Sequence, residues 1–334
     1  MFSRKELTTK STIAITDESI SYVTLAKDNN GFFIKEYETV TIPEGVIQDG
    51  EILKADILFQ MLKKIARLVS NKNIDIVLPH KYFLCADGTL DDTDKKDSLK
   101  KRVQQYFRTT ATNEPWHKTH ICEFSTYTLQ GREKVLFKCL PKDIQKSYVH
   151  VCKRAGFQIS SLTSDILAFD DFLSDEGSIL VFVSNNYTRV AEFKSGMFVS
   201  SKTFQVSYQQ FIQDIQKYIN TSSKEAGLIL KKHGLLRSHK DEKVYTRLSR
   251  SMSPLIEYLS KRKLKESVSL YVVFEEQPIL GFYDYLFQSL RITTIELDIF
   301  NTPKYIFHDI LSLHKNESYR YQPIIAQALK NWKK

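Results

Sequence analysis

Two short turns in this 334-residue chain are placed like phosphate-binding loops but lack the residues for that work. Thr16-Asp17-Glu18-Ser19 follows the apolar run Thr12–Ile15, and Ser184-Asn185-Asn186-Tyr187 follows Ile179–Val183. A turn cradles phosphate when its N–H groups approach closely, often with positive φ, and glycine reaches that geometry without a Cβ penalty. Neither turn contains a glycine. In the first, Asp17 and Glu18 put carboxylates where a polyphosphate would sit. Like charges about 4 Å apart repel by about 1 kcal/mol in bulk-like dielectric and by several in a cleft. As hairpin turns both segments are suitable, since Asn tolerates positive φ and Asp17 and Glu18 suit an exposed turn.

Other reactive groupings are sparse. His117, His120 and Cys122 form an H-x-x-H-x-C group of zinc-ligand types. A fourth ligand at finger-like spacing is missing, and no metal site is assigned. Asp91-Asp92 and Asp170-Asp171 are adjacent carboxylates that read as solvated loop or helix-start charges. No GxSxG, Walker, HExxH or GxGxxG pattern occurs. No catalytic residue is therefore expected. The four cysteines, Cys85, Cys122, Cys139 and Cys152, include no CxxC pair and read as reduced, mostly buried thiols.

The length suits about two domains, each with its own core. A content of 42% hydrophobic and 26% charged residues is ordinary for a globular chain and excludes a disordered or fibrous class. No apolar run approaches the roughly 20 residues of a membrane span. The first residues lack the apolar core of a signal peptide, so a cytoplasmic location is expected. A formal net charge of +9 could draw nucleic acid or an anionic membrane surface. The lysines are scattered, without a stripe of interleaved aromatics. No nucleic-acid partner is expected.

The two turns lie in duplicated surroundings. Residues 12–42 read as a three-strand meander whose third run follows Gly31, and the segment from Ile179 repeats the plan with a third run after Gly196. An amphipathic helix follows each. Ile57, Leu58, Met61, Leu62, Ile65, Leu68 and Val69 mark the first, and Phe211, Ile212, Ile215, Tyr218 and Ile219 the second. Ile74–Leu78 is a strand stopped by Pro79, and Ser267–Phe274 is a buried strand. Between them come a polar loop at Asp87–Lys96 and a short helix carrying Leu99, Val103, Tyr106 and Phe107. Two strands then turn at Gln130-Gly131-Arg132, and a helix ends at Gly156. Tyr82 to about Gly156 thus reads as a small α+β insertion. Ser222-Ser223-Lys224-Glu225 is a capping box and Gly234 ends its helix. A helix from about Val244 to Lys263 carries Pro254 as a possible kink. A closing helix starts on Pro323. The expected boundaries are a first lobe at 1–163 with the insertion at about 82–156, a second lobe at 164–322, and a C-terminal helix at 323–334 packing back on the body.

This order of elements resembles the actin-like proteins of the FtsA and PilM type. Ile42-Pro43-Glu44-Gly45-Val46-Ile47-Gln48-Asp49-Gly50-Glu51-Ile52 is similar to the PilM segment that joins the third strand to the first helix. Ile74–Pro79, Ala155-Gly156-Phe157, Leu167-Ala168 and Ile324–Leu329 match weaker family features in the same order. The resemblance covers about Thr12 to Leu329. It implies an α/β, actin-like (ribonuclease-H-like) two-lobed fold with the insertion in the first lobe. PilM is the cytoplasmic assembly protein of type IV pilus machines. The resemblance therefore implies a cytoplasmic scaffold peripheral to the inner membrane. It would hold the N-terminal segment of a PilN-like inner-membrane protein in a groove between first lobe and insertion, and self-association is left open. Tyr82, Phe83 and Leu84 are candidates for that groove, each also readable as ordinary strand core.

The family's nucleotide motifs fall on unsuitable residues. The first Asp-x-Gly loop falls on Ala14 and Thr16, the second on Phe182 and Ser184, and the adenosine-binding glycine pair on Glu275-Glu276. Ala14 and Phe182 cannot organise magnesium. A three-residue slip would make Asp17 the motif aspartate, but it puts Ser19 at the glycine and breaks the alternation of Ile13, Ile15, Ile20 and Tyr22. The resemblance thus implies a pseudo-ATPase without cofactor. The alternatives are an ATP- and magnesium-binding protein whose motifs drifted in sequence, or a cytoplasmic subunit of a related secretion or division complex. The segment 326–334 reads as a docking helix more readily than as a membrane anchor.

Overall fold

The first meander forms as the alternation requires. Strand β1 (Thr8–Ile15) pairs antiparallel with β2 (Ser19–Asp28), and β2 with β3 (Gly31–Thr41). The computed structural model from which this follows describes residues 7–89, 101–102, 119–129, 131–173, 177–194, 196–237, 242–262, 268–308, 318–330 and 332. Ile47–Gln48 (β4) and Glu51–Ile52 (β5) form a minimal hairpin that was not anticipated; Asp49 and Gly50 at its turn both have positive φ. Helix α1 (Ala55–Leu68) buries Leu58, Leu62 and Ile65 and leaves Ile57 and Leu68 exposed. β6 (Asn73–Leu78) then runs parallel to β1.

The insertion contributes a three-stranded sheet, β7 (Leu84–Thr89), β8 (His120–Leu129) and β9 (Arg132–Pro141), in the order β7-β9-β8. Helix α2 (Lys142–Arg154) leads from it to β10 (Gln158–Ser164), which lies parallel to β6 and completes the order β10-β6-β1-β2-β3. Tyr148, Val151 and Cys152 of α2 and the α1 face share one core with Ile13, Ile15, Ile74 and Ile76. Each such side chain contributes about 1.5–3 kcal/mol on burial. The helix expected at Leu99, Val103, Tyr106 and Phe107, the Asp91-Asp92 pair and His117 lie outside the described residues.

The cysteine expectation is corrected for one pair. The β8–β9 register sets Cys122 directly opposite Cys139, their Cα atoms 4.0 Å apart, and a disulfide joins them. Sequence spacing alone carries no register, so the pairing was invisible beforehand. Cys122 is thereby also removed as a zinc ligand.

The second meander repeats the first. β11 (Ser178–Val183), β12 (Thr188–Lys194) and β13 (Met197–Phe204) are antiparallel, and β14 (Ser269–Phe274) runs parallel to β11. A short β15 (Thr294–Glu296) runs parallel to β14, giving the order β13-β12-β11-β14-β15, strand for strand the plan of the first sheet. Helix α3 (Tyr208–Ile219) is capped by Ser207, and α4 (Ser223–His233) by the capping box of Ser222 and Glu225. Phe211 and Ile215 are buried, whereas Tyr218 and Ile219 are exposed. Helix α5 (Glu242–Lys261) runs through Pro254, and α6 (Phe282–Leu290) follows β14.

The chain divides into one unit of Met1–Phe169, Phe300–Ser312 and Pro323–Lys334 and another of Asp170–Ile299 and Leu313–Gln322. This differs from the expected second lobe of 164–322. Residues 306–308 run alongside the start of β3: Phe32 N–H donates to the Ile306 carbonyl at 2.8 Å, and His308 N–H donates to the Phe32 carbonyl at 2.9 Å. Gly31 permits this approach, since a Cβ there would stand 2.3 Å from the Ile306 oxygen. The closing helix α7 (Ser318–Lys330) begins before Pro323, so that proline lies inside the helix and not at its first position.

Candidate functional site

The two motif turns close in the same way. In the first, Thr16 N–H donates to the Ser19 carbonyl at 2.9 Å, while Thr16 Oγ1 accepts the N–H groups of Glu18 and Ser19 at 3.2 and 2.9 Å. In the second, Ser184 N–H donates to the Tyr187 carbonyl at 2.8 Å, and Ser184 Oγ accepts the N–H groups of Asn186 and Tyr187 at 3.3 and 3.1 Å. In each turn the hydroxyl at the first position thus takes up two of the turn's amides. The Asn185 N–H goes to Glu275 Oε2 at 3.1 Å.

Acidic groups reinforce both closures. Asp17 accepts from Lys81 Nζ at 2.7 Å, the Tyr82 hydroxyl at 2.5 Å and the Gly50 N–H at 3.1 Å. Burial pushes the Asp17 carboxyl up, but the hydrogen bonds from Lys81, Tyr82 and Gly50 and the Lys81 charge bring it below its ordinary value. Glu18 stays exposed at the turn. Ala14 is half-buried on β1, and Phe182 is buried on β11 between Arg189 and Val273. Glu276 pairs with Arg320. Glu276 and Asn185 also line a recess of about 210 Å3 beside Tyr208, whose buried hydroxyl has no hydrogen-bond partner. Burial raises the Tyr208 hydroxyl's pKa, with Glu276, Tyr319 and Glu275 adding to the rise, which marks the local field as negative.

A larger groove, about 570 Å3, lies within the first unit. Five consecutive residues of β10, Ile159, Ser160, Ser161, Leu162 and Thr163, line it. Side chains alternate between the faces of a regular strand, and the β10–β6 register shifts between Ile159 and Ser161, so residues on both sides of that irregularity reach the groove. β10 is an edge strand of its sheet. The opposite wall is built differently. Ile121 and Glu123 of β8 and Lys138 and Leu140 of β9 line it at alternate positions, so the insertion presents a sheet face. Cys122 and Cys139, at the intervening positions, staple that wall from behind. Gln145, Val149 and Lys153 of α2 and Gln327 and Lys330 of α7 complete the lining.

Of the three residues proposed from sequence for partner contact, Phe83 lines this groove. Tyr82 is instead buried in the first core with its hydroxyl on Asp17. Leu84 faces Cys139 and packs on the reverse side of the insertion sheet. The β10 edge, Lys153 and Gln327 were not anticipated, because an edge position is decided by sheet order and no local pattern in 158–164 announces it.

A doubled meander with two parallel strands beside each first strand, and an α+β insertion in the first unit, defines an actin-like α/β protein. No protein-family model matches the sequence, and no curated protein does either. Solved structures are similar over nearly the whole chain. The PilM-PilN type IV pilus biogenesis complex superposes with a TM-score of 0.72 at 12% identity, covering 96% of each chain. The MreB5 protein of Spiroplasma citri bound to ADP gives a TM-score of 0.55 at 13% identity, covering 97% of this chain and 96% of that one. The ethanolamine utilization protein EutJ of Carboxydothermus hydrogenoformans gives 0.52 at 12% identity, covering 96% and 89%. The fold is the actin-like one, and the resemblance to the PilM type holds at the level of that fold.

Proposed function

We propose that this chain is a non-catalytic, cytoplasmic actin-like scaffold of a type IV pilus-type inner-membrane assembly complex. Its groove would hold the N-terminal cytoplasmic segment of a PilN-like membrane partner. One observation carries this reading: β10, an edge strand of its sheet among the described residues, runs along a groove whose far wall is a sheet face with apolar and charged side chains. An extended segment can add to such an edge through backbone hydrogen bonds and set alternate side chains against the facing wall. The fold-level likeness to a PilM chain in complex with PilN supports the same partner class. Among the described residues no helix is long and apolar enough to cross a membrane, which accords with attachment through a partner.

The reading also makes the chain a pseudo-ATPase without nucleotide or magnesium. Its support is the use of the turn amides by Thr16, Ser184 and Glu275. Two measurements test it. Calorimetry of the folded protein with a synthetic N-terminal peptide of the membrane partner should give saturable heat, and no heat from the right peptide would remove the scaffold reading. Heating the purified protein and chromatographing the supernatant should release no near-stoichiometric ATP or ADP. Clear nucleotide release would move the chain to the ATP-binding class.

A further inference from the structure

The second unit carries a basic helical face that neither the groove nor the two turns use. On α4, Lys224, Leu228, Lys231 and Lys232 recur at three- and four-residue spacing, so they share one side of the helix, and all four are exposed. The opposite side is packed away: Ala226 and Leu230 join Phe211 and Ile215 of α3 in the second core. Leu228 is 60% exposed, with a lysine one turn before it and two lysines one turn after it. The chain leaves α3 through exposed Lys217, Tyr218 and Ile219. Past the other end of α4, Leu235 N–H donates to the Leu280 carbonyl at 2.7 Å, which brings the exposed Leu236 and Leu280 together, and Arg237 follows in the chain.

Charge on this surface is one-sided. Residues 217–237 include the cations Lys217, Lys224, Lys231, Lys232 and Arg237 and the single acid Glu225. All five cations are exposed, and none of them has an ion pair among the described residues. Glu225 is turned to the start of its own helix, where it accepts the Ser222 N–H at 3.2 Å and the Ser222 hydroxyl at 3.0 Å. Glu276 lines the recess that Lys231 borders, but Arg320 holds it. Exposed leucines taken singly are ordinary. Here Tyr218, Leu228 and Leu236 each adjoin a basic residue, and such a mixed surface suits an interface that is apolar inside and anionic outside.

We propose that the exposed side of α4, with Leu236 and Leu280 at its end, docks on the surface of an anionic phospholipid bilayer. A lysine carries its charge at the tip of an apolar stem, so Lys224, Lys231 and Lys232 can reach headgroup phosphates while Leu228 enters the acyl boundary. Duplex DNA is the competing polyanion, and it would take up the lysines but leave the leucines in water. The contact lies within the second unit and goes beyond the peptide groove, on which it does not depend.

The test sediments the full-length protein with vesicles of phosphatidylcholine alone and of phosphatidylcholine mixed with phosphatidylglycerol, at low and high salt. A fluorescein-labelled DNA duplex is titrated in parallel by anisotropy. The protein should bind the vesicles that contain phosphatidylglycerol, leave the neutral ones, and dissociate in high salt. The double variant Lys231→Gln and Lys232→Gln should lower partitioning by about fivefold for each charge removed. Lys63→Gln with Lys64→Gln makes the same change of net charge at exposed positions of α1 and should leave partitioning nearly unchanged. Leu228→Gln should lower it about tenfold without altering the response to salt. All these positions are exposed, and circular dichroism confirms that each variant is folded. No binding to the anionic vesicles at low salt, or equal weakening by the two lysine pairs, would overturn the proposal. Vesicle binding that survives Leu228→Gln and is matched by the duplex would overturn it in favour of nucleic acid.

Discussion

The Glu275 carboxylate and the Asn185 amide, 90 residues apart in sequence, meet in one hydrogen bond of 3.1 Å. β14 carries Glu275 just past its last residue, and the parallel pairing of Phe274 with Val183 brings it to the turn that follows β11. An acid just past the end of β14 thus satisfies the second turn from outside. Replacing Glu275 with Ala should cost about 1 kcal/mol in urea unfolding, the value of one hydrogen bond to a charged acceptor that is partly exposed. ATP affinity should stay undetectable by fluorescent-analogue titration, because Ser184 still holds the remaining amides. An unchanged midpoint would show that the bond does not form in solution.

Asp17 makes stability dependent on pH. Its carboxyl is depressed in the folded protein, so its contribution is fully present above the unfolded value of about 3.9 and is lost as pH falls through the folded value. The Asp17→Asn variant should therefore be less stable than the parent by a constant amount above about pH 5. The gap should close on acidification below about pH 4. Chemical denaturation at pH 7, 5, 4 and 3 reads this. Tyr82→Phe should reproduce about 1 kcal/mol of the loss, while Lys81, one-third exposed, should contribute less. A gap that persists to pH 3 would contradict the assignment.

The thiols can be counted. Without reductant, the denatured chain should give two reactive thiols, Cys85 and Cys152, and four after reduction. In the native protein Cys152 should be inert, since burial pushes its thiol up to about 12. Reduction should lower stability by up to about 3 kcal/mol, the loop-closure contribution for a loop of this size. Four thiols without reductant would show that the pair is open.

Phe182 is buried on β11, paired with Arg189 of β12 and Val273 of β14. Phe182→Ala should cost about 3–5 kcal/mol in thermal or urea unfolding. Phe182→Asp should leave no folded protein, because the position is closed by β12 and β14 on either side. Soluble, folded Phe182→Asp protein that binds magnesium nucleotide would contradict the view of β11 as pure core.

Much of this architecture was legible because the chain states its plan twice. Alternation in Ile13–Tyr22 and Ile179–Phe193 gave both meanders, and three- and four-residue spacing gave α1 and α3. Ser222 with Glu225, and Gly234, gave the ends of α4, since capping is local chemistry. What the sequence concealed depended on long-range geometry. The return of 305–308 onto β3 turns on one glycine tolerating a carbonyl. The Cys122–Cys139 bond turns on hairpin register. The candidate site followed the same division: Thr16, Ser184 and Glu275 were named from the resemblance, but the partners that Lys81, Glu275 and Gln327 reach lie 64, 90 and 166 residues away. Tyr82, readable from sequence as groove or as core, lies in the core with its hydroxyl on Asp17; a tyrosine of that kind has the same local pattern as one facing a ligand.

The hydroxyl-closed turns make a change of ligand class a matter of path. Glycine at Ser184 would free two amides and still leave a carboxylate seated on the third. Removing Glu275 alone would release one amide and leave the other two engaged. Each single step loosens the turn without offering a complete cradle, so no intermediate gains anion affinity in proportion to the stability it gives up. A turn built this way is held away from anion binding by a barrier in sequence space, and only a concerted replacement of several residues would cross it.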